Sequence, residues 1–153
     1  MLAEKGLEFS QSVDPPDTVC FLLPSDPASI RAGLMNLFSL DLLRPLTEDS
    51  LGAVQIVLAE ALNNVVEHAY AGLPGMIEVW VTLRDGFMFV RILDDGLPMP
   101  GGAVPCGNLA HSDVLPEGGF GWHMIRTLSH DLTYQRDGLR NLLSFCIGVD
   151  YHS

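Results

Sequence analysis

The sequence predicts an α+β chain: a two-layer α/β sandwich with a mixed, mostly antiparallel sheet and its helices on one face. Three observations carry that expectation. Two stretches in the first half repeat their apolar residues at three- and four-residue steps, the period of a helix with one buried side. Two stretches in the second half alternate and fold back at Asp85-Gly86 and Asp137-Gly138, the pairs that favour tight hairpins. No early strand leads into a GxGxxG turn, so a dinucleotide-binding unit is not expected. At 153 residues the chain suits one domain with a sound core, most simply one sheet covered by helices.

In chain order, residues 1 to 17 end in Val13-Asp14-Pro15-Pro16-Asp17 and read as a loose tail, leaving 18 to 150 as the domain. Thr18 to Leu23 is a short apolar strand. Ser25-Asp26-Pro27 then supplies a cap and a first-turn proline, predicting a helix from Pro27 to Leu43 with Ile30, Leu34, Leu37 and Phe38 inward. Arg44-Pro45 stops it. Thr47, Glu48 and Asp49 open the central helix, which Gly72 and Pro74-Gly75 close. Met76 to Arg84 and Phe87 to Leu93 form the first hairpin. Leu97 to Gly118, rich in proline and glycine and without periodicity, reads as a mobile loop or lid. A helix over Phe120 to His130 and strands over Leu132 to Arg136 and Asn141 to Val149 complete the chain.

Charge narrows the partners. A net charge of −11 opposes nucleic acid and anionic lipid, which leaves proteins and small molecules. Lys5 is the sole lysine beside seven arginines, so a bound phosphate would have to be neutralised by arginine, backbone amides or a metal. No apolar run reaches the length of a membrane span, and Met1 to Ser12 lacks the basic start and apolar core of a secretory signal, so a cytoplasmic chain is expected. Cys20, Cys106 and Cys146 are odd in number without CxxC spacing, as suits reduced thiols.

The central helix also carries a polar stripe. Glu60, Asn64, Glu67 and His68 fall on one side at about 100° per residue, and no lysine or arginine pairs with the carboxylates by spacing. Taken alone the stripe also fits a solvated face. As chemistry, a carboxylate one turn before an amide offers hard oxygen ligands for Mg²⁺ and a group able to orient water or accept a proton. Asp94-Asp95-Gly96 ends a strand at the rim of the sheet; it reads either as a simple turn or as a half-buried Asp94 that accepts from an exocyclic amine, with Gly96 admitting a ring. Gly118-Gly119-Phe120-Gly121 before an apolar helix is either a hinge or a set of amides facing an anion.

In this order, Glu60-x-x-x-Asn64, Asp94-x-Gly96 and Gly119-x-Gly121 resemble the N, G1 and G2 boxes of the GHKL (histidine-kinase-like) ATPase superfamily. Within it, residues 60–70, 117–126 and 134–145 are similar to stand-alone anti-sigma regulatory factors that are serine/threonine protein kinases of partner-switching systems. The resemblance covers about Thr18 to Val149. It implies a domain binding ATP and Mg²⁺ that inhibits a sigma factor, phosphorylates a STAS-type anti-anti-sigma protein, and forms homodimers. By position it makes Glu60 the catalytic or water-orienting carboxylate, Asn64 the Mg²⁺ ligand and Asp94 the adenine partner with Gly96 at the ring. Gly119, Phe120, Gly121 and Trp122 would offer amides to phosphate, and Ser144 would join the adenine site. Two features depart from the pattern: Pro98 replaces the second glycine of DxGxG, and Leu97 to Gly118 contains no lysine or arginine. The second leaves room for a nucleotide-dependent binding module that transfers no phosphate.

Overall fold

A computed structural model describes residues 8–11, 17–104 and 119–152. The elements are β1 (Glu8–Gln11), β2 (Thr18–Pro24), α1 (Pro27–Phe38), α2 (Glu48–Asn64), β3 (Met76–Arg84), β4 (Phe87–Asp94), α3 (Gly119–Leu128), β5 (His130–Asp137) and β6 (Arg140–Gly148). Short 3₁₀ turns occupy Asp41–Leu43 and Pro100–Gly102, and a π-helical turn, Val65–Ala69, prolongs α2.

The six strands form one sheet in the order β1-β2-β3-β4-β6-β5. Among the described residues every pairing is antiparallel, where a mixed, mostly antiparallel sheet was expected. The hairpins account for two of the pairs. At Asp85 and Gly86 the φ angles are 55° and 80°, the mirror-image turn whose twist matches its strands. The sheet also gains β1 from the segment read as a loose tail: Glu8 to Gln11 pair with Leu22 to Val19.

Alternation sends one face of the sheet inward. Val19, Phe21 and Leu23 of β2, Ile77, Val79, Val81 and Leu83 of β3, Met88, Val90 and Ile92 of β4, and Leu143, Phe145 and Ile147 of β6 are all buried. They meet Ile30, Leu34 and Leu37 of α1, Val54, Leu58, Ala61 and Leu62 of α2, and Trp122 and Ile125 of α3 in one core. The fold is therefore α+β with its helices on one face, and α2 packs between α1 and α3. Among the described residues no helix is long and apolar enough to cross a membrane.

Local chemistry sets the helix limits. Asp26 caps α1 by accepting from the Ser29 amide at 2.8 Å. The helix stops at Phe38, short of the expected Leu43, because Ser39 Oγ donates back to the Asn36 carbonyl at 2.7 Å and competes with helix continuation. Thr47 caps α2 through the Ser50 amide. At the far end Tyr70 N donates to Val65 O at 2.9 Å, five residues back, so the chain there holds one residue more than an α-turn. That extra residue leaves Glu67 and His68 exposed while Asn64 is buried, which breaks the stripe predicted from a uniform period. The last helix ends at Leu128, not His130; Ser129 Oγ donates to Ile125 O, and His130 already belongs to β5.

Candidate functional site

Glu60 and Asn64 lie one turn apart on the side of α2 that faces α3. Opposite them stands Gly121, where an added Cβ would lie 2.6 Å from Glu60 Oε1 and 3.8 Å from Asn64 Nδ2. The start of α3 thus covers the carboxylate and the amide, at a separation only glycine permits. Asn64 is 8% exposed, and among the described residues its Nδ2 has no hydrogen-bond partner. An orphaned buried amide is costly and calls for a polar partner, an ordered water or a ligand. Half a turn about its side chain exchanges nitrogen for oxygen, so the same position suits a phosphate oxygen or a cation. The neighbouring Asn63 goes elsewhere: with Ile30, Leu34, Met35 and Phe38 it lines an open groove of about 530 Å³ between α1 and α2 that contains none of the predicted site residues.

Gly119, Phe120, Gly121 and Trp122 form the first turn of α3, where the backbone N–H groups have no intrahelical acceptor and the helix dipole is positive. Trp122 has a second role, since its indole is buried in the core and anchors that turn. Among the described residues no cluster of three or more His, Cys, Asp or Glu side chains could hold a metal by itself. A cation here would rely on Asn64 and on oxygens that its ligand brings.

Asp94 shares the inward face of β4 with Met88, Val90 and Ile92, as alternation predicts, and is 5% exposed. Its Oδ1 accepts from Gly96 N and from Asn141 Nδ2, both at 2.8 Å. Burial pushes the carboxyl above the ordinary carboxylate range; the bonds from Asn141 and Gly96 oppose this, Asp95 adds to it, and Arg136 pulls it down. The folded state therefore holds this proton more tightly than the unfolded chain. Its contribution to stability falls as pH rises from about the ordinary 3.8 through the raised value, and returns on acidification. Affinity for a ligand that donates to Asp94 has the opposite sign and is lost as pH falls through that raised value. Calorimetric titrations across pH, with Asp94→Asn losing the dependence, check this. The adjacent Asp95 turns outward to Arg140, 3.4 Å away.

Gly96 is required by its own surroundings, because a Cβ there would collide with the carbonyl of Ala69 at the end of the π-turn. Leu97 N donates to that same carbonyl at 2.7 Å. Tyr70 reinforces the junction, accepting from Asp95 N at 2.9 Å and donating to Met76 O at 2.6 Å. The close approach thus joins the exit of α2 to the exit of β4, and it demands glycine whether or not a ring also lies against Gly96. The segment read as a lid is described only to Val104; Pro105 to Gly118 lie outside the described residues. Its described part is tied down, as is Gly96 before it: Gly96 O, Leu97 O, Met99 N and Val104 O bond to Arg136, Asn141, Tyr134 and Arg126.

Ser144 is a correction. In β6 it pairs with Arg91, whose guanidinium lies 5.9 Å over the Trp80 ring on the outer face, so Ser144 points away from Asp94. The inward residue opposite Asp94 is Asn141. Sequence reasoning also passed over Tyr134, Arg136 and Tyr70. Alternation counted back from the apolar Leu143, Phe145 and Ile147 would have selected Asn141 over Ser144; Tyr70 carried no comparable signal.

The site therefore has two halves on one side of the sheet. Glu60, Asn64 and the start of α3 make one close-packed polar cluster, and Asp94 with its partners makes a buried acceptor at the strand ends. The Histidine kinase-like ATPase domain matches residues 23–147, most of the chain. A search of curated proteins finds no match. Among solved structures, a histidine kinase domain from the Erythrobacter litoralis EL346 blue-light activated histidine kinase is similar at 18% identity and a TM-score of 0.48, the match covering 80% of this chain and 60% of that one. With its family pattern spanning β2 to β6, the chain belongs to the histidine kinase-like ATPase domain family.

Proposed function

We propose that this domain binds ATP with Mg²⁺ and acts as a serine/threonine protein kinase on a STAS-type anti-anti-sigma partner, doubling as an anti-sigma factor in a cytoplasmic partner-switching system. The observation that carries the reading is the Glu60–Asn64 pair beneath Gly121, with one buried amide group left for a ligand. In this reading the first-turn amides of α3 hold the phosphates, Asn64 would hold Mg²⁺ through its side-chain oxygen, and Asp94 accepts from the adenine amine. Glu60 accepts the proton of the attacking hydroxyl. Bound Mg²⁺ would neutralise phosphate charge, a task that Leu97 to Gly118, without lysine or arginine, is not equipped to share.

That bare segment favours a second reading, a nucleotide-dependent switch that holds its partner without phosphorylating it. Incubation of the purified chain with radiolabelled ATP and a STAS-domain protein separates the two. Label on a serine or threonine of the partner supports the kinase; nucleotide-dependent complex formation without label supports the switch. Sedimentation of the same mixtures tests the sigma factor as a partner and the homodimer as the working unit.

Gly121→Ala provides a geometric check. The atom obstructed is the end of a flexible side chain, so Glu60 swings aside and melting shifts little. Phosphate transfer should fall by about 10²-fold, as expected when a reacting group moves by an ångström or so. An unchanged rate would remove Glu60 from the chemistry.

A further inference from the structure

Asn141 is 4% exposed and uses its whole hydrogen-bonding capacity. Its Nδ2 donates to Asp94 Oδ1 at 2.8 Å and to Leu97 O at 2.9 Å. Its Oδ1 accepts from the Tyr134 hydroxyl and from Arg136 Nη1 at 3.0 Å. Two acceptors on one side and two donors on the other admit a single orientation of the amide. The same partners grip the chain beyond Asp94: Arg136 Nη1 donates to Gly96 O at 2.7 Å, and the Tyr134 hydroxyl accepts from Met99 N at 3.0 Å. One amide therefore joins the buried carboxylate to the backbone of residues 96–99.

We infer that Asn141 is a positioning residue that sets base specificity at Asp94 and couples base binding to the stem of the following segment. This rests on the nucleotide reading above. Among the described residues both hydrogen bonds that Asp94 accepts land on Oδ1, which leaves Oδ2 to meet a ligand as an acceptor. An acceptor there takes the exocyclic amine of adenine and opposes the carbonyl of guanine. Without the Asn141 donor the buried carboxyl more readily takes a proton, and a protonated carboxyl can donate to that carbonyl. Discrimination then erodes. A base that draws Asp94 also pulls, through Asn141 and Tyr134, on Leu97 and Met99.

The test uses Asn141→Leu, of the same branched shape though bulkier, and Tyr134→Phe, which spares the bond between Asn141 and Asp94. Affinities for Mg·ADP and Mg·GDP are measured by calorimetry, and amide exchange at Met99 with and without ADP. The parent should prefer ADP and slow Met99 exchange on binding it. Asn141→Leu should lower the ADP/GDP preference by about tenfold, the scale of one hydrogen bond to a charged group. Tyr134→Phe should keep the preference and lose the ADP-dependent slowing. A folded Asn141→Leu with the parent's preference would overturn the specificity role. If that variant does not fold, Tyr134→Phe decides: undiminished slowing at Met99 would overturn the coupling. A parent that binds neither nucleotide would instead sink the nucleotide reading itself, and this inference with it.

Discussion

Glu60→Gln should bind ATP nearly as tightly as the parent and transfer phosphate 10²–10⁴-fold more slowly, roughly the worth of a positioned general base. Glutamine keeps the length of the side chain and a carbonyl oxygen near Gly121, so the shape of the site changes little, and losing a negative charge does not weaken its hold on phosphate. It cannot accept the proton released by an attacking hydroxyl. Calorimetry for binding and single-turnover transfer to a STAS-domain protein give the two readings independently. Loss of affinity with transfer retained at saturating ATP would reverse the roles assigned to Glu60 and to its surroundings.

Asp94 offers the converse separation. Asp94→Ala removes the acceptor that satisfies Gly96 N and Asn141 Nδ2, leaving two donors orphaned in a buried setting. Stability should fall by about 1–3 kcal/mol for each donor left unpaired, read as a lower urea midpoint. Adenine nucleotide affinity should fall by tenfold or more, about the worth of a hydrogen bond to an ion. Asp94→Asn isolates the second effect, because its amide oxygen can still accept from both donors while its NH₂ meets the base with the wrong polarity. An Asp94→Asn variant that binds ADP as the parent does would show that Asp94 shapes the loop and does not read a base.

The parts of the fold that could be read from sequence are those decided locally. The hairpin at Asp85-Gly86 follows from residues that tolerate positive φ, the starts of α1 and α2 from their capping side chains, and the core from a period of two or of 3.6. Glu60, Asn64, Asp94 and Gly121 were legible for the same reason: each is an exception to a clear local pattern. What escaped depends on distant partners. Strand β1 is too short to show alternation and exists by pairing with β2. The hydroxyl of Tyr134 and the guanidinium of Arg136 act on residues 35 and 40 positions away. Ser144 was placed by resemblance where the pleat puts its side chain on the wrong face.

The π-turn at Val65–Ala69 has a bearing on how this protein tolerates insertions and deletions. Deleting one residue there would leave charge and composition almost unchanged and allow α2 to continue as an ordinary helix. It would also rotate everything downstream by about 100° and draw it back by about 1.5 Å. Ala69 would then present its carbonyl away from Leu97, and the Tyr70 hydroxyl would miss Asp95. Spacing between the two halves of the site is thus kept by counting residues, with little demand on which residues they are. A substitution scan would find exposed positions such as Glu67 and His68 nearly silent, whereas a single-codon deletion scan would find this turn among the least forgiving places in the chain.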